Sequence, residues 1–357
     1  MYYTNAETES LYRIFDQNAR TGYLRLDLNE NPEGLPEAFI EDVLKDVTPE
    51  FVGQYPETLP FTETLAAYLH TDIRHLCLVN GSAEGIRYII QAFTSPGGRI
   101  VGVVPSYFMF QIYSEMYGRD YVKVPYREDL TMDVQDILDA LTDETQLLIL
   151  LNPNNPMGNV YTEEEFERLL DAARAHEITV LVDEAYHYFY PGTFIRYALE
   201  TEHVFVTRTF SKLFSMAGLR LGYVAGWPEG IALVQKMCTP HNTNAFALKF
   251  AEKALTTPGL EEQLVSDFLE GRAYLTDMLD RNGYEHRGDA GNFLFICPKT
   301  DAEVLVRRMK EEKKILIKSY SGIGKFGVCL RVTVGSRRVM ERFMEALLDL
   351  DRAEEDR

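Results

Sequence analysis

A chain of 357 residues, 46% hydrophobic and 25% charged, has the composition of an ordinary folded protein, and its length favours two domains over one. Fifty-five acidic against 36 basic residues give a formal net charge of -19, which argues against nucleic acid or an anionic membrane surface as the main partner. An anionic substrate would need a local arginine cluster working against that field.

Residues 1–45 precede the sheet pattern and carry one extended piece, Leu24 to Leu28. From about residue 77 to 226, short apolar or β-branched runs alternate with helical patterns: Cys77 to Asn80, Ile100 to Val104, Leu147 to Leu151, Ile178 to Asp183, Val204 to Arg208 and Leu221 to Ala225. Near-continuous apolar strands between helices predict a mostly parallel central sheet covered on both faces, an α/β fold. Thr162-Glu-Glu-Glu165 is a capping box that opens a helix to about His176, with Phe166, Leu169, Leu170 and Ala173 on one face. After about Thr243 come longer helices, then strands at Asn292 to Cys297 and Val328 to Val334, and a closing helix from Ser336 to about Leu350. This second pattern predicts a smaller α+β domain built from residues 1–45 and 246–357, beside a large domain of 46–245.

Four motifs carry chemistry. Val79-Asn-Gly-Ser-Ala-Glu-Gly85 runs from a strand into a helix, so free backbone N–H groups at Ser82, Ala83 and Glu84 form a candidate anion cradle, although capping by Ser82 explains the same residues. Leu151-Asn-Pro-Asn-Asn-Pro-Met-Gly158 forces an irregular turn at a strand's carboxyl end, where open α/β sheets place ligands. Leu181-Val-Asp-Glu-Ala-Tyr186 ends a strand on Asp183, which either pairs with a pyridine nitrogen or caps a helix. Residues 207–223, Thr-Arg-Thr-Phe-Ser-Lys-Leu-Phe-Ser-Met-Ala-Gly-Leu-Arg-Leu-Gly-Tyr, set Lys212 beside Thr209 and Ser211 with Arg220 downstream. A lysine can form an imine with an aldehyde while the hydroxyls and arginine hold a phosphate dianion, the requirements of a pyridoxal 5'-phosphate site.

Neither the 79–85 stretch nor Ser321-Gly-Ile-Gly-Lys325 has the spacing of a nucleotide phosphate loop. Cys77, Cys238, Cys297 and Cys329 stand singly among apolar neighbours, as small core residues in a reducing compartment. The seven histidines show no ligand spacing, so no metal is expected, and His187 reads as packing. With neither a basic, apolar amino-terminal signal nor a run long enough to span a bilayer, a cytoplasmic protein without membrane association is expected.

Taken in order, the motifs resemble the fold-type I pyridoxal phosphate aminotransferases of class I/II, most closely the histidinol-phosphate aminotransferase group, from Leu26-Asp-Leu-Asn-Glu-Asn-Pro-Glu-Gly34 to Leu330-Arg-Val-Thr-Val-Gly335. The resemblance implies that Lys212 is the aldimine lysine and proton shuttle, Asp183 the partner of the pyridine nitrogen, and Asn155 with Tyr186 the partners of the ring oxygen. It places Ser82, Ala83, Glu84, Thr209, Ser211 and Arg220 around the phosphate and Tyr107 on the ring, with Phe110 competing for that role. Tyr55 would reach the phosphate of a neighbouring subunit, which implies a homodimer. Arg331 would grip the substrate carboxylate, a task suited to a planar guanidinium, with Asn29 and Tyr23 also on the substrate side.

The group's substrate-phosphate arginine has no counterpart in Ile315-Leu-Ile-Lys-Ser-Tyr320, where Lys318 supplies charge without a fork, and Met157 stands where threonine is usual, a change read as neutral. The expected reaction is a ping-pong transfer of an amino group between an L-amino acid, or a phosphate ester such as histidinol phosphate, and a 2-oxo acid. A lyase resembling threonine-phosphate decarboxylase is the alternative, since the same constellation serves whichever Cα bond stands perpendicular to the ring. A non-catalytic cofactor-binding protein is a third. Tyr23, Phe108 and Phe110 line an aromatic pocket or belong to the core.

Overall fold

The computed structural model describes residues 9, 11, 19–288, 290–321, 324 and 327–352. Part of the amino-terminal piece allotted to the smaller domain (1–8, 10 and 12–18) lies outside them, as do Gly322, Ile323 and Lys325 of the 321–325 stretch. The extended piece forms only a two-residue strand, β1 (Leu24–Arg25): Leu26 already gives its carbonyl to Thr333 N, and Asn29 then turns the chain at φ 58°.

The alternating region folds into seven strands, β2 (Leu76–Val79), β3 (Arg99–Val104), β4 (Asp120–Pro125), β5 (Thr145–Leu151), β6 (Thr179–Asp183), β7 (Val204–Thr209) and β8 (Gly222–Gly226), in the order β2-β8-β7-β6-β5-β3-β4. Six of the seven run in one direction, and β8 is reversed, antiparallel to both its neighbours, β7 and β2. Strand β4 escapes a search for continuous apolar runs because it is an edge strand: of Asp120-Tyr-Val-Lys-Val-Pro125 only Val124 is buried.

Alternation along each strand splits the core into two layers. Leu147, Ile149 and Leu151 join Leu181, Phe205 and Val224 under helices Ser82–Phe93 and Pro228–Met237. Leu148 and Leu150 join Val180, Val182, Val204 and Val206 on the other face, against helix Glu163–Ala175. That helix has the expected capping box, Thr162 and Glu165 bonding reciprocally, and buries the expected four residues.

The second sheet, β9 (His286–Arg287), β10 (Phe293–Ile296), β12 (Lys318–Tyr320) and β13 (Cys329–Thr333), is antiparallel in the order β12-β13-β10-β9, while β11 (Ile315–Leu316) pairs with β1. Helix Arg337–Leu350 lays Met340, Phe343 and Leu347 on its core. Helices Glu37–Leu44 and Ala245–Thr256, which the pattern allots to the smaller unit, put Phe39, Val43, Phe250 and Ala251 into a cluster with Phe210, Phe214 and Tyr223 of the larger one. The 22-residue helix Leu260–Arg281 gives Leu264 to that cluster and Phe268, Leu275 and Leu279 to the other.

Beneath the carboxyl ends of β6 and β7 lies a buried ion pair that no motif announced. Glu184 accepts from Arg208 Nε at 2.9 Å and Nη2 at 2.8 Å, and from Phe194 N and the Thr193 hydroxyl. Both side chains are almost completely buried. Removing one partner leaves a buried charge uncompensated, so Glu184→Ala is expected to lower unfolding free energy by roughly 3–5 kcal/mol in chemical denaturation. Glu184→Gln together with Arg208→Met is expected to recover most of that loss.

Candidate active site

The carboxyl ends of β5, β6 and β7 and the loops that follow them enclose a cavity of about 240 Å³, lined by Ser82, Ala83, Tyr107, Asn155, Asp183, Tyr186, Thr209, Ser211, Lys212 and Arg220 together with Leu28, Glu30, Leu151, Ala185 and Ala217. Register explains the convergence: Leu151 stands opposite Asp183 and Asp183 opposite Thr207, so adjacent parallel strands end together.

At one end, helix Ser82–Phe93 begins at the cavity with Gly81 as its N-cap, so Ser82 is the first helical residue and not the cap. Gly81 has φ 80°, and a Cβ there would come within 2.4 Å of Arg220 Nη2; glycine is the residue that lets the guanidinium lie against the helix start. Arg220 donates to the Ser211 hydroxyl at 3.3 Å, and Thr209 donates to Ser211 at 2.9 Å. A helix amino terminus, two hydroxyls and an arginine can together hold a dianion. Glu84 is turned elsewhere: its N–H donates to Gly81 O, and its carboxylate accepts from Asn80 N at 2.7 Å.

At the base, Asp183 is 2% exposed, accepts from the Thr207 hydroxyl at 3.1 Å and from Ala185 N at 3.2 Å, and caps no helix. Burial pushes its carboxyl up to about 7. Such a group favours a cationic N–H partner, as a protonated pyridine would be. Lys212 donates from Nζ to Leu28 O at 3.0 Å, and burial with nearby Arg331 brings its ammonium down to about 8. An amine in that range can act as nucleophile and base near neutral pH.

The side wall is a hydrogen-bonded chain. Arg331 Nη1 donates to Asn155 Oδ1 at 2.8 Å, Asn155 Nδ2 donates to the Tyr186 hydroxyl at 2.9 Å, and Asn29 Nδ2 donates to the same hydroxyl at 3.0 Å. With two donors on its oxygen, Tyr186 keeps its own proton to offer the cavity. Arg331 Nη2 donates to Asp27 O, while its buried Nε has no partner among the described residues. Of the three asparagines in the 151–158 turn, Asn152 accepts from Tyr161 N and Asn154 donates to the Tyr126 hydroxyl, leaving Asn155 for the cavity.

Tyr107 lines the cavity, whereas Phe110 is buried in the core and Phe108 is exposed. Tyr55 is 78% exposed and stacks on His241 at 4.3 Å, outside this chain's own cavity. Tyr23 lies beside β1 with Lys314 over its ring and is not among the lining residues. Among the described residues no group of three or more His, Cys, Asp or Glu could hold a metal, and His187 is half-buried and packs on Tyr188. Gly81 and Thr207 lie inside two of the four motifs without having been assigned a role there, although Thr207 stands two before Thr209 on one strand face, and Asn292, which donates to Asn29 O at 3.1 Å, supports the site from outside all four.

The family model for aminotransferase class I and II matches residues 21–347. A histidinol-phosphate aminotransferase of Caldanaerobacter subterraneus subsp. tengcongensis is 32% identical over 330 residues, covering 91% of this chain and 92% of that protein. One from Thermococcus gammatolerans is 30% identical, covering 95% and 94%. The crystal structure of a Sinorhizobium meliloti histidinol-phosphate aminotransferase in complex with pyridoxal-5'-phosphate shares the fold at a TM-score of 0.86 and 21% identity, over 99% of this chain and 98% of that one. The donor set, with Arg220 lying against the helix start at Gly81, fits the same cofactor. This chain therefore belongs to the class I and II aminotransferases, as a pyridoxal phosphate-dependent transaminase of the histidinol-phosphate aminotransferase type.

Proposed function

We propose that one site serves an amino donor and a 2-oxo acid in turn, a ping-pong sequence in which Lys212 both carries the cofactor and moves the proton at the substrate's Cα. What carries this reading is the chain Arg331–Asn155–Tyr186 standing beside the Lys212 amine. Pyridoxal phosphate, when bound, supplies a ring that takes up the electrons of the broken Cα–H bond. Ser82, Ala83, Thr209, Ser211 and Arg220 would hold its phosphate, with Glu84 buttressing their loop. Asp183 would keep the ring nitrogen protonated, Tyr186 and Asn155 would face the ring oxygen, and Tyr107 would lie on the ring.

Arg331 would orient both substrates through their anionic groups, with Asn29 holding Tyr186 in place. The Arg331 Nε, which has no partner among the described residues, and Lys318, directly opposite in register, would give a cationic corner for a carboxylate or for the phosphate ester of a substrate such as histidinol phosphate. Tyr23 on the substrate side and Tyr55 across a homodimer interface complete the reading; the exposure of Tyr55 supports the second. Two units, built on the larger and the smaller sheet, would meet along helix Leu260–Arg281, which packs into both cores. A cytoplasmic setting is part of the same reading. Among the described residues no helix is long and apolar enough to cross a membrane.

The primary test is absorbance of the purified protein titrated with single L-amino acids and with histidinol phosphate. Bleaching of a Lys212-dependent band by particular donors, and its return with an oxo acid, is expected. Carbon dioxide release with a persistent band would instead identify a lyase.

Asp183→Asn separates stability from cofactor binding. The folded carboxyl of Asp183 is raised, so its cost to the cofactor-free protein is absent near pH 4, develops toward pH 7 and is complete above it. The variant is therefore expected to gain stability over wild type by at most about 4 kcal/mol at pH 8, and nothing near pH 4, while retaining cofactor less well. Denaturation at the two pH values and cofactor release measure the two effects.

For Tyr55, mixing inactive Lys212→Ala and Tyr55→Ala subunits is expected to restore about a quarter of wild-type activity, because half the dimers then hold one intact site. No recovery on mixing would place Tyr55 outside the partner's site.

A further inference from the structure

Cysteines that stand singly in the chain meet in the fold. Cys77 Sγ and Cys238 Sγ lie 3.6 Å apart, across 161 residues of sequence. Cys77 is buried in β2, and Cys238, half-buried, ends helix Pro228–Met237. Neither lines the cavity, yet both are tied to its phosphate end. Strand β2 leads through Asn80 and Gly81 to Ser82. Beyond Cys238, Asn242 donates to Leu78 O at 3.0 Å and to Glu84 Oε2 at 3.3 Å, and that same oxygen accepts from Asn80 N at 2.7 Å.

We propose that Cys77 and Cys238 form an oxidisable dithiol whose disulfide loosens the grip of the Asn80–Ser82 turn on the cofactor phosphate. The second half rests on the reading of Ser82 and Ala83 as a phosphate cradle. A disulfide needs sulfurs about 2.05 Å apart, so the two sulfurs must close in from 3.6 Å, and whatever part of that shift side-chain rotation does not take up passes to the Asn242–Glu84–Asn80 bonds. Cys238 is the sulfur that meets oxidant, being the less buried, and its hydrogen bond with Cys77 holds its thiol below the usual range.

With hydrogen peroxide as oxidant, the Cys238 sulfur attacks one peroxide oxygen, the O–O bond breaks, and a sulfenic acid and one water result. The Cys77 sulfur then attacks that of Cys238, the S–S bond forms, the S–O bond breaks, and a second water leaves with the Cys77 proton. Peroxide gains the two electrons that the thiols lose. Thiol reductant reverses the bond, as suits a transient disulfide in a reducing compartment.

Holoenzyme is treated with peroxide, its free thiols are blocked, and peptides are mapped without reductant, while cofactor dissociation is followed on the same samples. A Cys77–Cys238 cross-link reversed by dithiothreitol is expected, absent from Cys238→Ser, with cofactor affinity lowered several-fold in oxidised wild type and unchanged by oxidation in the variant. Because Cys238 is half-buried, its serine variant keeps the test available where Cys77→Ser does not fold. No cross-link, a cross-link only between Cys297 and Cys329, or oxidation of Cys238 to a sulfinic acid without Cys77 overturns the proposal. Cofactor affinity indifferent to the link, but lowered by Arg220→Gln, overturns the coupling alone. Indifference to both overturns the cradle reading.

Discussion

A carboxyl group buried at the end of β6, bonded to one hydroxyl and one backbone N–H, sets the terms for the rest of this site. Asp183 forms no ion pair among the described residues, and its burial has raised it to about 7. Such a position costs stability in the empty protein and becomes favourable only when a cationic N–H arrives. The sheet is built to hold it there. β5 and β7 flank β6 in register, apolar side chains fill both faces, and the Glu184–Arg208 pair neutralises the next residue along.

The site is also where the two sheets are fastened together. Asn29, from the amino-terminal segment, donates to Tyr186 of the larger sheet, while its N–H donates to the Thr333 hydroxyl of β13 and its carbonyl accepts from Asn292 beside β10. Arg331 of β13 reaches Asn155 of the β5 turn. Any rearrangement of the smaller sheet therefore moves the groups around Tyr186 directly. Arg331 stands one hydrogen bond from Asn155 and two from Tyr186, so the three side chains are coupled.

Much of this was legible because the relevant residues are neighbours in the chain. Lys212 with Thr209, Ser211 and Arg220, Asp183 with Tyr186, and Ser82 with Ala83 each sit on one strand-to-loop junction, where spacing alone keeps them together. Edge strand β4 was not legible, since exposure removes the apolar run that marks a strand. Nor was the choice among Asn152, Asn154 and Asn155, which depends on partners at Tyr161 and Tyr126. Phe110 competes with Tyr107 in the sequence because the two are three residues apart, and only the first turn of helix Met109–Met116 shows Phe110 pointing into the core.

By itself the sequence determined the alternating strands and helices, the capped helix at Thr162, the cofactor chemistry and the family, because those depend on local periodicity and on residue types at short spacing. Only the tertiary structure decided which side chains share a proton or a charge: Arg331 with Asn155, Asn29 with Tyr186, Glu184 with Arg208, and Cys77 with Cys238. Three of these partnerships span well over a hundred residues, and the fourth spans 24 across adjacent strands. Such contacts depend on strand order, register and burial, which no local pattern encodes.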